Sequence, residues 1–127
     1  MGESKVYIRN ADEKGSINIS EDVIAVIAAA STMDVDGVNG FFYSHGKEIT
    51  HKISKKGFTK GVDLVIDGDE VTIDVHIIAD MGYSVSEVGA AIQKAVVTAI
   101  EDAVGAKVVA VNVHIRGVSL RKPKTKE

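Results

Sequence analysis

Two segments of the chain, Ile73–Ile77 and Val111–Ile115, alternate strictly between β-branched apolar residues and polar residues. Successive side chains of a strand point to opposite faces, so each segment has one apolar side and one polar side. The positions that we predict to be buried are Val71, Ile73, Val75 and Ile77 in the first strand and Val109, Val111, Val113 and Ile115 in the second. The pattern predicts a sheet with one dry face and one polar face.

Two other segments carry apolar residues at helical spacing. The first helix is predicted over residues 21–32, after Ser20 as N-cap and with carboxylates in its first turn, where they favour the helix dipole. Its apolar stripes contain Val23, Ile24, Ile27, Ala28 and Ala30. The second helix is predicted to follow a capping box at Ser84 and to end near residue 104, because Gly105 suits the left-handed position after a helix.

The segments Val62–Ile66 and Val71–Ile78 flank Asp67-Gly68-Asp69-Glu70, which is a strong hairpin signal. Short strands are also expected at Gly15–Ile19 and, less regularly, at Glu48–Ile53. The predicted order is β-α-β-β-β-α-β. We predict an α+β fold, a two-layer sandwich with both helices on one face of a mixed, mostly antiparallel sheet. The nearest standard topology is a split β-α-β-β-α-β arrangement.

The length of 127 residues suggests one domain, which we place at residues 15–120 between a flexible segment 1–14 and a basic, flexible tail 121–127. The net charge is −3, but the tail holds four basic residues and one acidic residue, leaving 11 basic and 17 acidic residues elsewhere. The chain contains no cysteine, which excludes disulfides and thiolate chemistry. No apolar run resembles a signal peptide or a membrane span, so we expect a cytoplasmic protein.

A set of motifs in order along the chain resembles the alkaline shock protein family, also called the YloU-like envelope stress response family. The motifs are the opening segment 15–28, the turn Asp36-Gly37-Val38, the central hairpin at 60–75, the helix start Gly82–Val88 and the closing strand Val111–Val118. The resemblance implies a small, non-catalytic protein of Gram-positive bacteria that takes part in cell-envelope homeostasis and stress. It also implies two kinds of context, a separate membrane-anchored partner for some members and nearby lipid-metabolism genes for others.

Four polar side chains of the two alternating strands are candidates for a metal site, namely Asp74, His76, Asn112 and His114. Two imidazoles and one carboxylate can hold zinc or iron(II) if the strands are neighbours. The alternative, which we favour, is a solvated sheet face on which these residues are tolerated. We expect no cofactor, and no motif of a catalytic nucleophile, phosphate loop or zinc protease is present.

A lysine-rich segment surrounds Phe58 and contains Lys52, Lys55, Lys56 and Lys60. Basic residues beside an aromatic ring can bind single-stranded nucleic acid. However, three residues separate Gly57 from Gly61, so the GXXG loop of KH domains is not present. A solvated loop is the favoured interpretation, and no nucleic acid is expected as a partner.

Protein–protein interaction remains the leading hypothesis. Small residues crowd both helices at Ala28, Ala29, Ala30, Ala90, Ala91 and Ala95, where they serve packing within the monomer or contact with another protein. Candidate sheet edges are residues 15–19 and 109–115. We predict a non-catalytic protein of envelope stress or homeostasis that self-associates or binds a membrane-tethered partner, with no direct membrane insertion. The alternatives are a regulator of a lipid-metabolism enzyme and a metal- or nucleic-acid-binding domain.

Overall fold

The computed structural model describes residues 6–12, 14–42 and 61–120 of the chain. Six strands and two helices follow one another in these ranges as β1 (Val6–Asp12), β2 (Gly15–Ser20), α1 (Glu21–Met33), β3 (Val38–Phe41), β4 (Val62–Asp67), β5 (Glu70–Asp80), α2 (Val85–Val104) and β6 (Lys107–Ser119). From β2 onward the predicted β-α-β-β-β-α-β order and the α+β class are confirmed. The additional strand β1 lies within residues 1–14 and pairs antiparallel with β2.

The main sheet is built around β5. Strand β6 pairs parallel to β5 along its whole length, from Glu70 to Asp80. Strand β4 pairs antiparallel with the first part of β5, and strand β3 pairs antiparallel with its last part. Both therefore lie one after the other along the edge of β5 that faces away from β6. The split topology is therefore wrong, because α2 connects two directly neighbouring strands. Strand β2 also lies outside this sheet, in a two-stranded sheet with β1.

Both helices pack on the dry face of the main sheet. Every second residue of β5, from Val71 to Ala79, is fully buried against them. The large side chains that α1 and α2 contribute to this core without solvent exposure are Ile24, Ile92, Val96 and Ile100. Removing such apolar area from water stabilises the fold by roughly 1.5–3 kcal/mol for each large aliphatic side chain. The predicted dry layer is confirmed.

The buried face of α1 is rotated from the predicted one. Its buried residues are Ile24, Ala25, Ala28, Ala29 and Thr32. Val23 and Ala30, which we assigned to the apolar stripe, are exposed. Thr32 is tolerated in the core because its hydroxyl donates a 2.8 Å hydrogen bond to the Ala28 carbonyl oxygen. The small alanines allow α1 to approach α2 and β4 closely.

One position of β6 contradicts the predicted dry face. Val109 is 52% exposed, although the alternation predicts burial. The register shifts between Val108, which is opposite Val71, and Ala110, which is opposite Thr72, so Val109 is the extra residue of a β-bulge. The bulge moves Val108 to the core side in its place, and the alternation resumes correctly at Val111.

The predicted turns and helix ends are mostly confirmed. The β4–β5 hairpin closes through Gly68, which has φ +66°, next to the pair Asp67 and Glu70. Gly105 ends α2 in the left-handed conformation, with φ +83°. Ser84 caps α2 by accepting a hydrogen bond from the Glu87 N–H at 3.4 Å. Ser20 occupies the N-cap position of α1 without a side-chain capping bond.

Among the residues that the structure describes, no helix is both long enough and apolar enough to cross a membrane. The predicted strand Glu48–Ile53 lies outside the described residues. The nucleic-acid candidates Lys52, Lys55, Lys56 and Lys60 also lie outside them, as does the basic tail 121–127.

Candidate functional site

The face of the main sheet opposite the helices is the candidate site, and we call it the polar face. It is made by the outward residues of β4 and β5, together with residues of β6 at the same levels. The parallel register places Asp74 beside Asn112 and His76 beside His114. The sequence left open whether these residues meet, and the structure brings all four together.

The two imidazole rings stack on each other. Their centroids are 4.6 Å apart and their planes differ by 13°. His114 Nε2 lies 3.1 Å from Asp74 Oδ1, and His76 Nε2 lies 3.5 Å from Asp63 Oδ2 on β4. The side chains of His76 and His114 are 22% and 42% exposed. Each ring therefore has its own carboxylate, and the pair forms a partly sheltered network across three strands.

The carboxyl group of Asp74 is the member whose charge state is most clearly set by this network. The hydrogen bond from His114 is the main cause that lowers the pKa of Asp74 below its usual value. Partial burial opposes this shift, while a hydrogen bond from Asn112 and the nearby imidazoles support it. Asp74 is consequently held in its ionised form.

The geometry does not favour the metal hypothesis for Asp74, His76 and His114. Stacked rings lie in separate, nearly parallel planes, and their Nε2 atoms are directed at two different carboxylates rather than at one point. Within the described ranges, no group of three or more histidine or acidic side chains is placed to hold a metal ion. The arrangement suits a network of hydrogen bonds and ion pairs.

Sequence reasoning missed three members of this network, Asp63, Phe42 and Arg116. Arg116 Nη1 lies 3.4 Å from His76 Nδ1, and the guanidinium carbon lies 5.0 Å from the centre of the Phe42 ring. A second register shift, between Ile115 and Gly117, makes Arg116 an extra residue of β6. Asp63 follows the alternation of β4 and was predictable from it, whereas the bulge at Arg116 leaves no clear signal in the sequence.

The polar face is strongly acidic. By alternation and register, its charged residues in the described ranges are the carboxylates Asp63, Asp67, Glu70, Asp74 and Asp80 and the basic side chains of Arg116 and Lys107, which is paired with Glu70. Asp80 accepts a 2.9 Å hydrogen bond from the Asn39 side chain. Val65, which is 62% exposed, lies between two of these carboxylates on β4. Such a surface repels phosphate backbones and attracts basic groups.

The outer edge of β6 is partly protected by α2. The Glu101 side chain accepts a 3.1 Å hydrogen bond from the Val108 N–H, and the Gln93 side chain donates a 3.0 Å bond to the Val111 carbonyl oxygen. These bonds use backbone groups that another strand would otherwise pair with. In the part of the chain that the structure describes, β6 has no strand partner other than β5. Its second half is the more accessible part of this edge.

A comparison with protein families gives a match over residues 9–120 to the alkaline shock protein 23 family, described as having a cell envelope-related function. The chain belongs to this family. The resemblance of the sequence motifs is thereby confirmed, and so is the coarse functional context of the cell envelope. The description names no catalytic activity for the family.

Several bacterial relatives of this family member match most of its length. YloU of Bacillus subtilis is 31% identical over 111 residues, which cover 86% of this chain and 92% of the relative. Spy1535 of Streptococcus pyogenes is 34% identical over 109 residues, covering 85% and 82%. YqhY of Bacillus subtilis is 28% identical over 104 residues, covering 82% and 77%. All three are described as uncharacterized. No solved structure matches this family member.

Proposed function

We propose that this family member acts in cell-envelope homeostasis or stress without catalysing a reaction, by binding a membrane-tethered protein through its polar face. The single observation that carries the proposal is the asymmetry of the main sheet. Both helices cover one face, whereas no element in the described ranges covers the other. The uncovered face nevertheless holds an organised network of imidazoles and carboxylates across three strands. A surface that binds another protein would explain this arrangement, and no catalysed reaction is needed to explain it.

The charge of the polar face defines the chemistry of the partner. Five carboxylates against two basic side chains favour a partner segment that is rich in lysine or arginine. The exposed side chain of Val65 supplies an apolar contact among these charges. Oppositely charged surfaces steer association and select against wrong partners. Membrane recruitment through such a partner, from a cytoplasmic location, is part of the proposal and is supported by the envelope-related description of the family.

Self-association is the second route to assembly, and the structure favours a different surface for it. Two acidic polar faces repel each other, so copies of the chain would not pair through them. The outer edge of β6 beyond Val111 is a more suitable contact, because backbone groups of an edge strand can pair with a second strand. Sedimentation velocity over a range of concentrations tests this route. A monomer at every concentration would exclude it and leave the binding of another protein.

The proposed partner can be tested by separating membranes from soluble protein in cells of the native host. The test variant reverses two exposed charges of the polar face, Asp63→Lys and Asp67→Lys. The matched control makes the same change of net charge away from this face, with Asp34→Lys and Asp102→Lys. The proposal predicts that the wild type and the control sediment with the membranes, and that the polar-face variant moves to the soluble fraction.

Equal sedimentation of the two variants would contradict the proposed use of the polar face. A wild-type protein found only in the soluble fraction would contradict recruitment to the membrane. If that soluble protein co-purified with a lipid-metabolism enzyme, the regulator alternative would replace the proposal. Circular dichroism of both variants should show unchanged folding, because the substituted side chains are exposed.

A further inference from the structure

The basic tail, residues 121–127, has no role in the proposed function so far. We infer that this tail docks on the polar face of its own chain and competes there with the basic segment of a partner. The docking itself is independent of the proposed function, whereas the competition rests on it. Three observations support the inference, namely complementary charge, sufficient chain length and exposure of the acidic side chains.

The charges of the two surfaces are complementary. The tail contains Arg121, Lys122, Lys124 and Lys126 against one acidic residue, Glu127. The polar face has five carboxylates and two basic side chains, Lys107 and Arg116. The polar face and the tail therefore carry opposite net charge and belong to one molecule. Covalent connection raises the effective concentration of the tail at this face to the millimolar range.

The tail follows one end of the polar face in the chain and is long enough to reach the middle of that face. Strand β6 ends at Ser119, which pairs with Asp80 at one end of this face. Asp80 is six positions after Asp74 on β5, which corresponds to about 20 Å at the rise of a strand. Seven extended residues span up to about 24 Å. Because β6 runs parallel to β5, the chain must reverse after Ser119 before it can follow the polar face toward Asp74. A reversal over two residues leaves five residues up to Lys126, which span up to about 18 Å, and the long lysine side chain extends this reach to the level of Asp74 and Asp63.

The acidic side chains are accessible to such a segment. Asp63 is 77% exposed and Asp74 is 33% exposed, even though each faces an imidazole. The neighbouring Val65 is also exposed, and the methylene groups of lysine side chains can cover such apolar surface while the charge stays in water. The tail can therefore pair with these carboxylates without displacing the network of histidines.

Docking of the tail would regulate the proposed site. A partner binds only the fraction of molecules whose polar face is free, so its apparent affinity falls by that fraction. A tail that covers the polar face in half to nine-tenths of the molecules lowers the apparent affinity for the partner by about two- to tenfold. Modification or capture of the tail by another molecule would then release the face.

The absence of cysteine allows a direct test in the full chain. A nitroxide spin label is attached to Thr125→Cys, and the broadening of backbone amide signals is measured by NMR at low salt. The inference predicts strong broadening at Asp63 and Asp74. It predicts little broadening at Gln93, which lies on the helix layer at the same level, because its side chain bonds to the carbonyl oxygen of Val111, the partner of Ile73. The comparison of the two layers controls for the covalent attachment of the tail, which keeps the label near residue 120 whether or not the tail docks.

The matched control carries the same label with Arg121, Lys122, Lys124 and Lys126 replaced by Gln. The selective broadening should disappear in this variant, and it should weaken in the original protein at high salt. Equal broadening of the two layers would overturn the inference, as would selective broadening that persists without the four charges. A mixture of labelled protein and unlabelled, isotope-enriched protein reveals docking between molecules, and broadening in that mixture would overturn docking within one chain.

Membrane sedimentation of the Gln variant separates this inference from the proposed function. If both hold, the variant binds membranes more tightly than the wild type, by about two- to tenfold. If the label shows no docking while the polar-face variant still leaves the membranes, the tail inference fails and the proposed function stands. If the label shows docking but the polar-face variant stays on the membranes, the proposed function fails and the docking stands.

Discussion

The two faces of the main sheet are built from the same strands but are held by different forces. On the dry face, Ile73 and Ile77 are completely buried beneath the helices. On the polar face, the intervening residues Asp74 and His76 are partly exposed and pair with side chains on neighbouring strands. Burial of one large aliphatic side chain contributes roughly 1.5–3 kcal/mol, whereas an exposed ion pair contributes about 0–1 kcal/mol. Stability therefore resides mainly on one face, which leaves the other free to serve recognition.

The largest expected effect comes from the dry face. Ile73→Ala removes a fully buried side chain from the centre of β5 and should lower the free energy of unfolding by about 3 kcal/mol. The neighbouring change Thr72→Ala, on the polar face, should cost less than about 1 kcal/mol. Urea unfolding followed by circular dichroism measures both values. Similar losses for the two variants would contradict the assignment of stability to the helix-covered face.

A smaller effect is expected where the chain enters β3. A Cβ atom at Gly37 would lie 2.7 Å from Val88 Cγ2 and 3.0 Å from Tyr83, and Gly37 has φ +99°. Gly37→Ala should therefore cost about 2 kcal/mol, from both overpacking and backbone strain. Gly82 has φ +101° but open space around it, so Gly82→Ala should cost only the strain, about 1 kcal/mol.

Thermal unfolding of the two glycine variants, with Gly40→Ala as a control, checks this order. Gly40 has neither a positive φ nor a neighbour within 4 Å of an added Cβ atom. Its substitution should change the midpoint least. An equal effect at Gly37 and Gly82 would mean that close packing against α2 adds nothing to the backbone requirement.

The smallest effect is expected from the network on the polar face, and it depends on pH. The hydrogen bond from His114 lowers the pKa of Asp74 in the folded protein, so the ionised carboxylate stabilises the fold. This contribution is present above the ordinary carboxyl pKa and is lost as the pH falls below about 4. Because Asp74 is one-third exposed, Asp74→Asn should cost only about 0.5 kcal/mol at pH 6.

The same comparison at pH 3 sharpens this prediction. At pH 3 the carboxyl of Asp74 is largely protonated in the unfolded chain, so part of the stabilisation from its lowered pKa in the folded protein is lost, and the difference in unfolding free energy between Asp74→Asn and the wild type should shrink. Chemical unfolding at the two pH values provides the measurement. A difference that stays constant or grows toward acid pH would show that Asp74 contributes through shape rather than through charge.

Much of the fold was predictable because its signals are local. The alternation in β5 identified the dry face, and Gly68 and Gly105 marked a turn and a helix end through the left-handed conformation that glycine adopts easily. The resemblance to the family gave the envelope context, which the family comparison confirmed. The membrane-tethered partner and the stress role stay predictions.

The remaining features depend on contacts between distant segments. The position of β6 directly beside β5 and the stacking of the two imidazoles follow from the pairing of strands that are distant in the sequence. The bulges at Val109 and Arg116 each insert one extra residue into β6, and the alternating pattern of the sequence does not predict where these insertions occur. The buried face of α1 also depends on its position against α2 and β4, so residues such as Val23 could not be assigned from spacing alone.

The central claim, that the polar face binds another protein, is tested most directly by photo-crosslinking in living cells of the native host. A photo-reactive amino acid replaces Val65 on the polar face or, as a control, the exposed Ala91 on α2. The account predicts a specific crosslinked product with a membrane protein from position 65 and none from position 91. Crosslinking from position 91 alone would contradict it and would place the interaction on the helix layer instead.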